Sequence, residues 1–118
     1  ATALNSPYGL VLDSAGGLYV ADRNNNRVLY FSSGSTTALR VYGQGGSFTT
    51  NTQNNGGVSA NSLSGPGGIT LDSSGGLYVV DQFNHRILYY PPGNTTATRV
   101  YGQGGNFTTN TQNNGGIS

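Results

Sequence analysis

At 118 residues, with 20 glycines, no cysteine and a net charge of +1, the chain has room for one small domain. The absent cysteines exclude a disulfide framework and thiol chemistry, and the near-neutral charge excludes the electrostatic footprint of a nucleic-acid or acidic-membrane binder. All basic residues are Arg and all acids Asp, so solubility rests on Asn, Gln, Ser and Thr, a composition that favours an extracellular or cell-surface setting.

Four strands are predicted in the first half. Gly9–Asp13 ("GLVLD") leads into a turn at "SAGG", and Gly17–Asp22 ("GLYVAD") into a turn at "RNNN". Arg27–Phe31 ("RVLYF") then leads into "SSGSTT", and Ala38–Tyr42 ("ALRVY") completes the set. Every connection carries Gly, Asn or Ser, which tolerate the positive φ angles of tight hairpins. The second half repeats the pattern as Gly68–Asp72, Gly76–Asp81, Arg86–Tyr90 and Ala97–Tyr101, with Pro91 and Pro92 in the turn that holds Ser32 and Ser33 earlier. No helical spacing is evident, so each half reads as a four-stranded antiparallel meander.

The two halves are one repeat written twice. Pro7 aligns with Pro66, Asp22 with Asp81, Arg27 with Arg86 and Tyr42 with Tyr101, always 59 residues apart. About 39 of the 59 aligned pairs are identical, which places the chain among repeat architectures with units 1–59 and 60–118. The long connections 43–65 and 102–118 are polar and glycine-rich, yet nearly identical. Phe48, Val58 and Leu63, with Phe107, Ile117 and Leu4, are the apolar anchors expected to pin them over the sheets.

"VLYF" (Val28–Phe31) and "ILYY" (Ile87–Tyr90) are apolar or aromatic at every step, which predicts sheets covered on both faces. Four-stranded sheets packed face to face around an axis are propeller blades; a β-sandwich would not require two such similar units. Leu12, Leu18, Val20, Val28 and Tyr30 are expected to be largely buried, as are Leu71, Leu77, Val79, Ile87 and Tyr89.

The residues with chemical potential recur once per unit. Asp22, Asn25 and Arg27, then Asp81, Asn84 and Arg86, form Asp-x-x-Asn-x-Arg. This element could be a carboxylate–guanidinium binding site, or a turn in which Asn caps a hairpin and Arg pairs with Asp. Its recurrence favours the second. Asp13 and Asp72 could form a carboxylate ring able to hold a hard cation; acceptance of backbone N–H bonds in "DSAGG" and "DSSGG" is the preferred role. His85 is the sole histidine and replaces Asn26, so no multi-histidine metal site is available within one chain. "GQGG" at 43–46 and 102–105 precedes no helix, which disfavours a phosphate loop. No cofactor, metal or catalytic constellation is expected. Asn94 and Asn106 head glycosylation sequons, relevant only on a eukaryotic secretory route.

"SPYGLVLDSAGGLYVADRNNNRVLYF" and "SGPGGITLDSSGGLYVVDQFNHRILYY" resemble NHL repeats, whose pattern runs Pro-x-Gly, a hydrophobic strand ending in Asp, a Gly turn, Tyr-Val-x-Asp, then x-x-Asn-x-Arg. The resemblance implies an all-β fold with two four-stranded antiparallel propeller blades per chain, the first strand of each lining a central channel. Two blades leave two apolar faces uncovered, so a β-propeller is expected to be completed by homo-oligomerisation. Six blades, a homotrimer, are preferred; eight blades, a tetramer, are the alternative. Both ends fall in the inter-blade connection, as in an excised or engineered two-blade unit. The expected function is a non-catalytic, self-assembling binding scaffold for protein or carbohydrate, without nucleic acid or membrane as partner. A metal-dependent lyase-like or hydrolase-like propeller and an RNA-binding NHL module are the alternatives the resemblance carries.

Overall fold

A computed structural model describes residues 3–117. Where branched and aromatic residues run between Gly/Asn/Ser turns, the chain forms strands. β1 (Pro7–Leu12), β2 (Leu18–Asp22), β3 (Arg27–Phe31) and β4 (Arg40–Tyr42) make one sheet. β5 (Pro66–Leu71), β6 (Leu77–Asp81), β7 (Arg86–Tyr90) and β8 (Arg99–Tyr101) make the second. Both are antiparallel meanders in sequence order, and no α-helix occurs among the described residues. The first strand of each unit starts and stops earlier than predicted, at Pro7 and Pro66 rather than Gly9 and Gly68, and the fourth is shorter. The N-terminal extension is a bulged pairing, Pro7 to Asp22 and Pro66 to Asp81, which a run-of-apolars criterion does not register.

Short polar groups set the turns. The Asp13 carboxylate accepts N–H bonds from Ala15 at 3.0 Å and Gly17 at 2.6 Å, and Asp72 accepts them from Ser74 at 2.9 Å and Gly76 at 2.8 Å. Their second oxygens receive the Tyr30 hydroxyl at 2.8 Å and the Tyr89 hydroxyl at 3.2 Å. A Cβ at Gly17 would collide with the Tyr30 ring and Asp13, so only glycine closes this turn. The second turn is one 3-10 turn, Arg23–Asn25 or Gln82–Asn84, and ends in left-handed backbone at Asn26 and His85, both at φ 54°.

Strand alternation gives each sheet two faces. One face of the first sheet carries Tyr19, Ala21, Val28, Tyr30 and Tyr42. It packs on Leu77, Val79, Leu88 and Tyr90 of the second, with Leu63 from the connection sealed among them. Tyr42 and Tyr90 meet edge to face across this junction, ring centroids 5.0 Å apart. The outer face of the first sheet, with Val20, Leu29, Phe31 and Val41, is partly roofed by Phe48.

Burial departs from expectation at named positions. Leu12 is exposed, as is its face-mate Leu10, and Ile87 is 39 % exposed; Leu18, Leu71 and Tyr89 are half-buried. Leu10 and Leu12 pair with Val20 and Leu18, which places them on the outer face of the first sheet, where no second sheet lies. Ile87 pairs with Val80 and Tyr101 on the uncovered face of the second sheet, the counterpart of the face that is covered in the first. Among the expected anchors, Leu63 is fully buried and Phe48 and Phe107 pack on the cores. Leu4 and Ile117 remain exposed.

Tyr90 is fully buried and its hydroxyl has no hydrogen-bond partner, whereas the equivalent residue of the first unit is Phe31. An unsatisfied buried hydroxyl costs about 1–3 kcal/mol. Tyr90→Phe is therefore expected to raise the unfolding free energy by about 1 kcal/mol in urea titrations, and a loss of stability would show that the hydroxyl is satisfied after all.

Candidate functional site

The Asp-x-x-Asn-x-Arg elements occupy the same place in both sheets. Asp22 ends β2 and Arg27 begins β3, so the hairpin itself brings them opposite one another. The Arg27 Nε donates to Asp22 Oδ2 at 2.7 Å, and Asn25 donates to the same oxygen at 2.9 Å. In the second sheet Arg86 and Asn84 donate to Asp81 Oδ2, each at 2.7 Å. Both carboxylates are fully buried.

The guanidinium groups have more partners than the carboxylate. Arg27 donates to the Phe48 carbonyl at 2.8 Å and to the Ala3 carbonyl at 2.9 Å. Arg86 donates to the Phe107 carbonyl at 2.7 Å and to the Ser59 and Ser62 carbonyls at 2.8 and 2.9 Å. The free carboxylate oxygens close the circuit: Asp22 Oδ1 accepts the Asn5 N–H and Asp81 Oδ1 accepts the Ser64 N–H, both at 2.7 Å. Each element thus ties three separate stretches of chain together: the hairpin, the segment entering the unit and the loop leaving it. Burial pushes the Asp81 carboxyl above the usual carboxylate range, against the pull of the Ser64 N–H, the Asn84 amide and Arg86.

Two further polar side chains are buried that composition did not single out. Gln44 and Gln103, inside "GQGG", are almost wholly buried. Gln44 Nε2 donates to the Thr52 carbonyl at 2.6 Å and the Asn26 carbonyl at 3.1 Å, and its oxygen receives the Thr50 hydroxyl at 2.8 Å. Gln103 donates to the Thr111 and His85 carbonyls at 2.8 and 3.2 Å. The repeated Gln between glycines was the available signal: a long amide kept where small residues surround it is placed to satisfy loop carbonyls.

The remaining candidates are dispersed. Asp13 and Asp72 flank a cleft of about 320 Å³ between the two "DSxGG" turns, lined also by Leu12, Leu71, Ser14 and Ser73. The Tyr30 hydroxyl and the Gly17 N–H hold the Asp13 carboxyl below its usual range; for Asp72 the Gly76 N–H does most of this. His85 is exposed at the opening of a larger cleft of about 590 Å³ formed with Gly102–Gly105 and Gln112–Gly116. Arg23 bridges the sheets, donating to Gln82 at 2.8 Å with its guanidinium 5.1 Å from the Tyr8 ring centroid and 5.4 Å from that of Phe83. Among the described residues no three His, Asp, Glu or Cys side chains group as a metal site, and no helix is long and apolar enough to cross a membrane.

Removing a partner from a buried ion pair strands a charge and costs about 3–5 kcal/mol. Arg27→Ala and Arg86→Ala are each expected to lose stability on that scale, by chemical denaturation; loss of a ligand with unchanged stability would instead mark a binding site. The depressed Asp13 and Asp72 values have a defined sign. Their stabilisation is complete above the unfolded carboxyl value of about 3.9 and is lost as pH falls through the lower folded value. Combining Asp13→Asn with Asp72→Asn is expected to flatten stability below about pH 4 relative to the parent chain. The comparison isolates these two groups from Asp81, whose raised value acts in the opposite direction.

No curated protein matches the chain. The NHL repeat family model matches it twice, at residues 4–31 and 63–90. Each match runs from the entry segment through the third strand, so it takes in the whole Asp–Asn–Arg element and stops before the fourth strand and long loop. The chain thus carries two stretches that match the NHL repeat, one in each of its two sheets.

Proposed function

We propose that the chain is a non-catalytic, self-assembling β-propeller unit: two NHL blades that complete a ring with further copies and serve as a binding scaffold for protein or carbohydrate. The observation that carries this reading is a mismatch between equivalent residues. Ala21, Val28 and Tyr42 are 0, 0 and 1 % exposed where the first sheet meets the second, whereas Val80, Ile87 and Tyr101, one repeat on, are 40, 39 and 45 % exposed. On the complementary side Leu63 is fully buried and its equivalent Leu4 is 43 % exposed. One chain therefore presents both halves of an interface that it has already built once internally.

Repeating the internal junction between chains covers both halves with equivalent apolar contacts. Such a contact is head to tail, and it closes into a ring when its rotation divides the circle. Two-blade chains close only on an even count. Four blades leave little space around an axis; six give a homotrimer, and eight a tetramer. The carboxylates support a non-catalytic role, because each already accepts at least three hydrogen bonds from the fold, as with Asp22 and Asp81. The cleft between the Asp13 and Asp72 turns, with leucines beside serine hydroxyls, is the surface best suited to a protein or carbohydrate ligand.

Native mass measurement tests the ring. Three chains per particle are expected, and Tyr101→Asp, which puts a charge into the uncovered face, is expected to give single chains with retained β-structure. A well-folded monomer at every concentration would overturn the reading, and a mass of four chains would set the ring at eight blades.

A further inference from the structure

One cleft adjoins the uncovered apolar face of the second sheet, sharing His85 and Gly102 with the surface around Val80, Ile87 and Tyr101. It measures about 590 Å³ and is lined by His85, Gly102–Gly105 and Gln112–Gly116. Its counterpart one repeat earlier is not open: residues of the connection fill it. Leu63 lies against Gly43, where a Cβ would come within 3.1 Å of the Leu63 side chain, and the Leu63 carbonyl accepts the Asn54 N–H at 3.1 Å. Asn54 and Asn84 exchange two amide hydrogen bonds, of 2.8 and 2.7 Å. Asn26 accepts the Gly65 N–H at 2.9 Å and donates to the Asn51 carbonyl at 3.0 Å, which joins loop and entry segment through one side chain.

We infer that the cleft around His85 and Asn113 is a socket for the Ala3–Ser6 segment of a second copy of this chain. The inference rests on the ring reading and adds to it a polar latch beside the apolar sheet contact. Both parts are already shaped. Gly102 has φ 92° and ψ −176° against 85° and −175° at Gly43, and Asn113 has φ 53° against 48° at Asn54. Gln103 holds the Thr111 carbonyl at 2.8 Å and Asn114 holds the Thr109 hydroxyl at 3.1 Å, so the socket loop is folded before any segment enters. The plug is equally fixed: Arg27 holds the Ala3 carbonyl at 2.9 Å, Asp22 holds the Asn5 N–H at 2.7 Å, and Ser6 has φ 52° where Gly65 has 59°. Little ordering entropy is left to lose on docking.

The repeat assigns each contact of the latch. Leu4 of one copy enters beside Gly102 of the other, and its carbonyl accepts the Asn113 N–H. The Asn113 amide pairs with Asn25, whose counterpart Asn84 is fully buried by the same pairing inside the chain. His85 stands where Asn26 stands internally, with a ring nitrogen in place to accept the Ser6 N–H. The latch thus differs from the internal junction at this side chain, and substitution with asparagine reproduces the internal geometry.

The test measures dissociation constants by sedimentation together with amide hydrogen exchange, on the full chain. Leu4→Ser and Asn113→Gly change exposed positions, and glycine retains the left-handed backbone at 113. Each is expected to weaken self-association by about tenfold or more, the effect of losing one well-made buried contact. His85→Asn is expected to keep or tighten it, and the Asn113 amide of the parent is expected to become protected on assembly. A parent that assembles while both variants associate equally well and Asn113 exchanges freely overturns the latch and leaves the ring intact. A parent that stays monomeric, with Asn113 unprotected at all concentrations, overturns both.

Discussion

The Arg27 and Arg86 guanidinium groups each reach stretches of chain that no strand pairing connects. A hairpin alone would leave the entry segment and the long loop unattached, since neither carries enough apolar area to order itself. The carboxylate fixes the guanidinium by its Nε, and the terminal nitrogens then hold the backbone carbonyls of two other segments. A lysine could pair with the acid but could not hold three partners in one plane. The burial of charge, costly in isolation, becomes sustainable because every oxygen and every nitrogen side is engaged. The loop therefore behaves as part of the sheet that precedes it.

Much of this was legible before any coordinates. The repeat pointed to two like four-stranded sheets, the apolar runs gave the strands within two residues at their ends, and the Asp–Asn–Arg spacing placed an ion pair across a hairpin. The side chains that were misjudged share a cause. Leu12 and Ile87 sit in strands as apolar as their buried neighbours, and nothing in a strand's own letters says whether another sheet covers that face. The loops were expected to lie over the sheets with Asn and Gln side chains serving their backbone, but Gln44 and Gln103 were not singled out, because nothing in the letters tells one amide of a polar stretch from the next. The long polar connection is ordered by amides as well as by Phe48 and Leu63, and amide pairing leaves no periodicity to detect.

The differences between the repeats are as informative as the identities. Leu10, Val11 and Tyr8 of β1 become Ile69, Thr70 and Gly67 in β5, where the two inner strands run side by side and Gly9 approaches the Gly67 carbonyl. Arg23 and Phe83 differ from their equivalents Gln82 and Asn24, and they meet across the internal junction. A junction between chains would set Gln82 of one copy against Arg23 of the next, so the amide–guanidinium contact persists while the cation–ring contact is lost. In a ring of copies the two kinds of junction would therefore be alike in geometry but unequal in strength, with the internal one favoured by an added contact of about 0.5–1 kcal/mol.

That similarity bears on why a polar passage is kept nearly identical in two copies. The loop does not merely span a gap. It carries Gln44 and Asn54, which tie it to the turn of its own sheet and to Asn84 of the next, so its length and fold set the angle at which the two sheets meet. A ring of blades closes only if these angles sum to a full turn, and the error of each junction accumulates around the circle. Two loops of different shape would give alternating angles, and the apolar faces would then meet well at one junction and poorly at the other. Matching loops make every junction the same rotation. On this account the constraint on Val41–Gly57 and Val100–Gly116 is geometric: the side chains in them that vary, Ser47 and Asn106, each make the same local turn two residues on, through Thr49 and Thr108, and leave the angle unchanged.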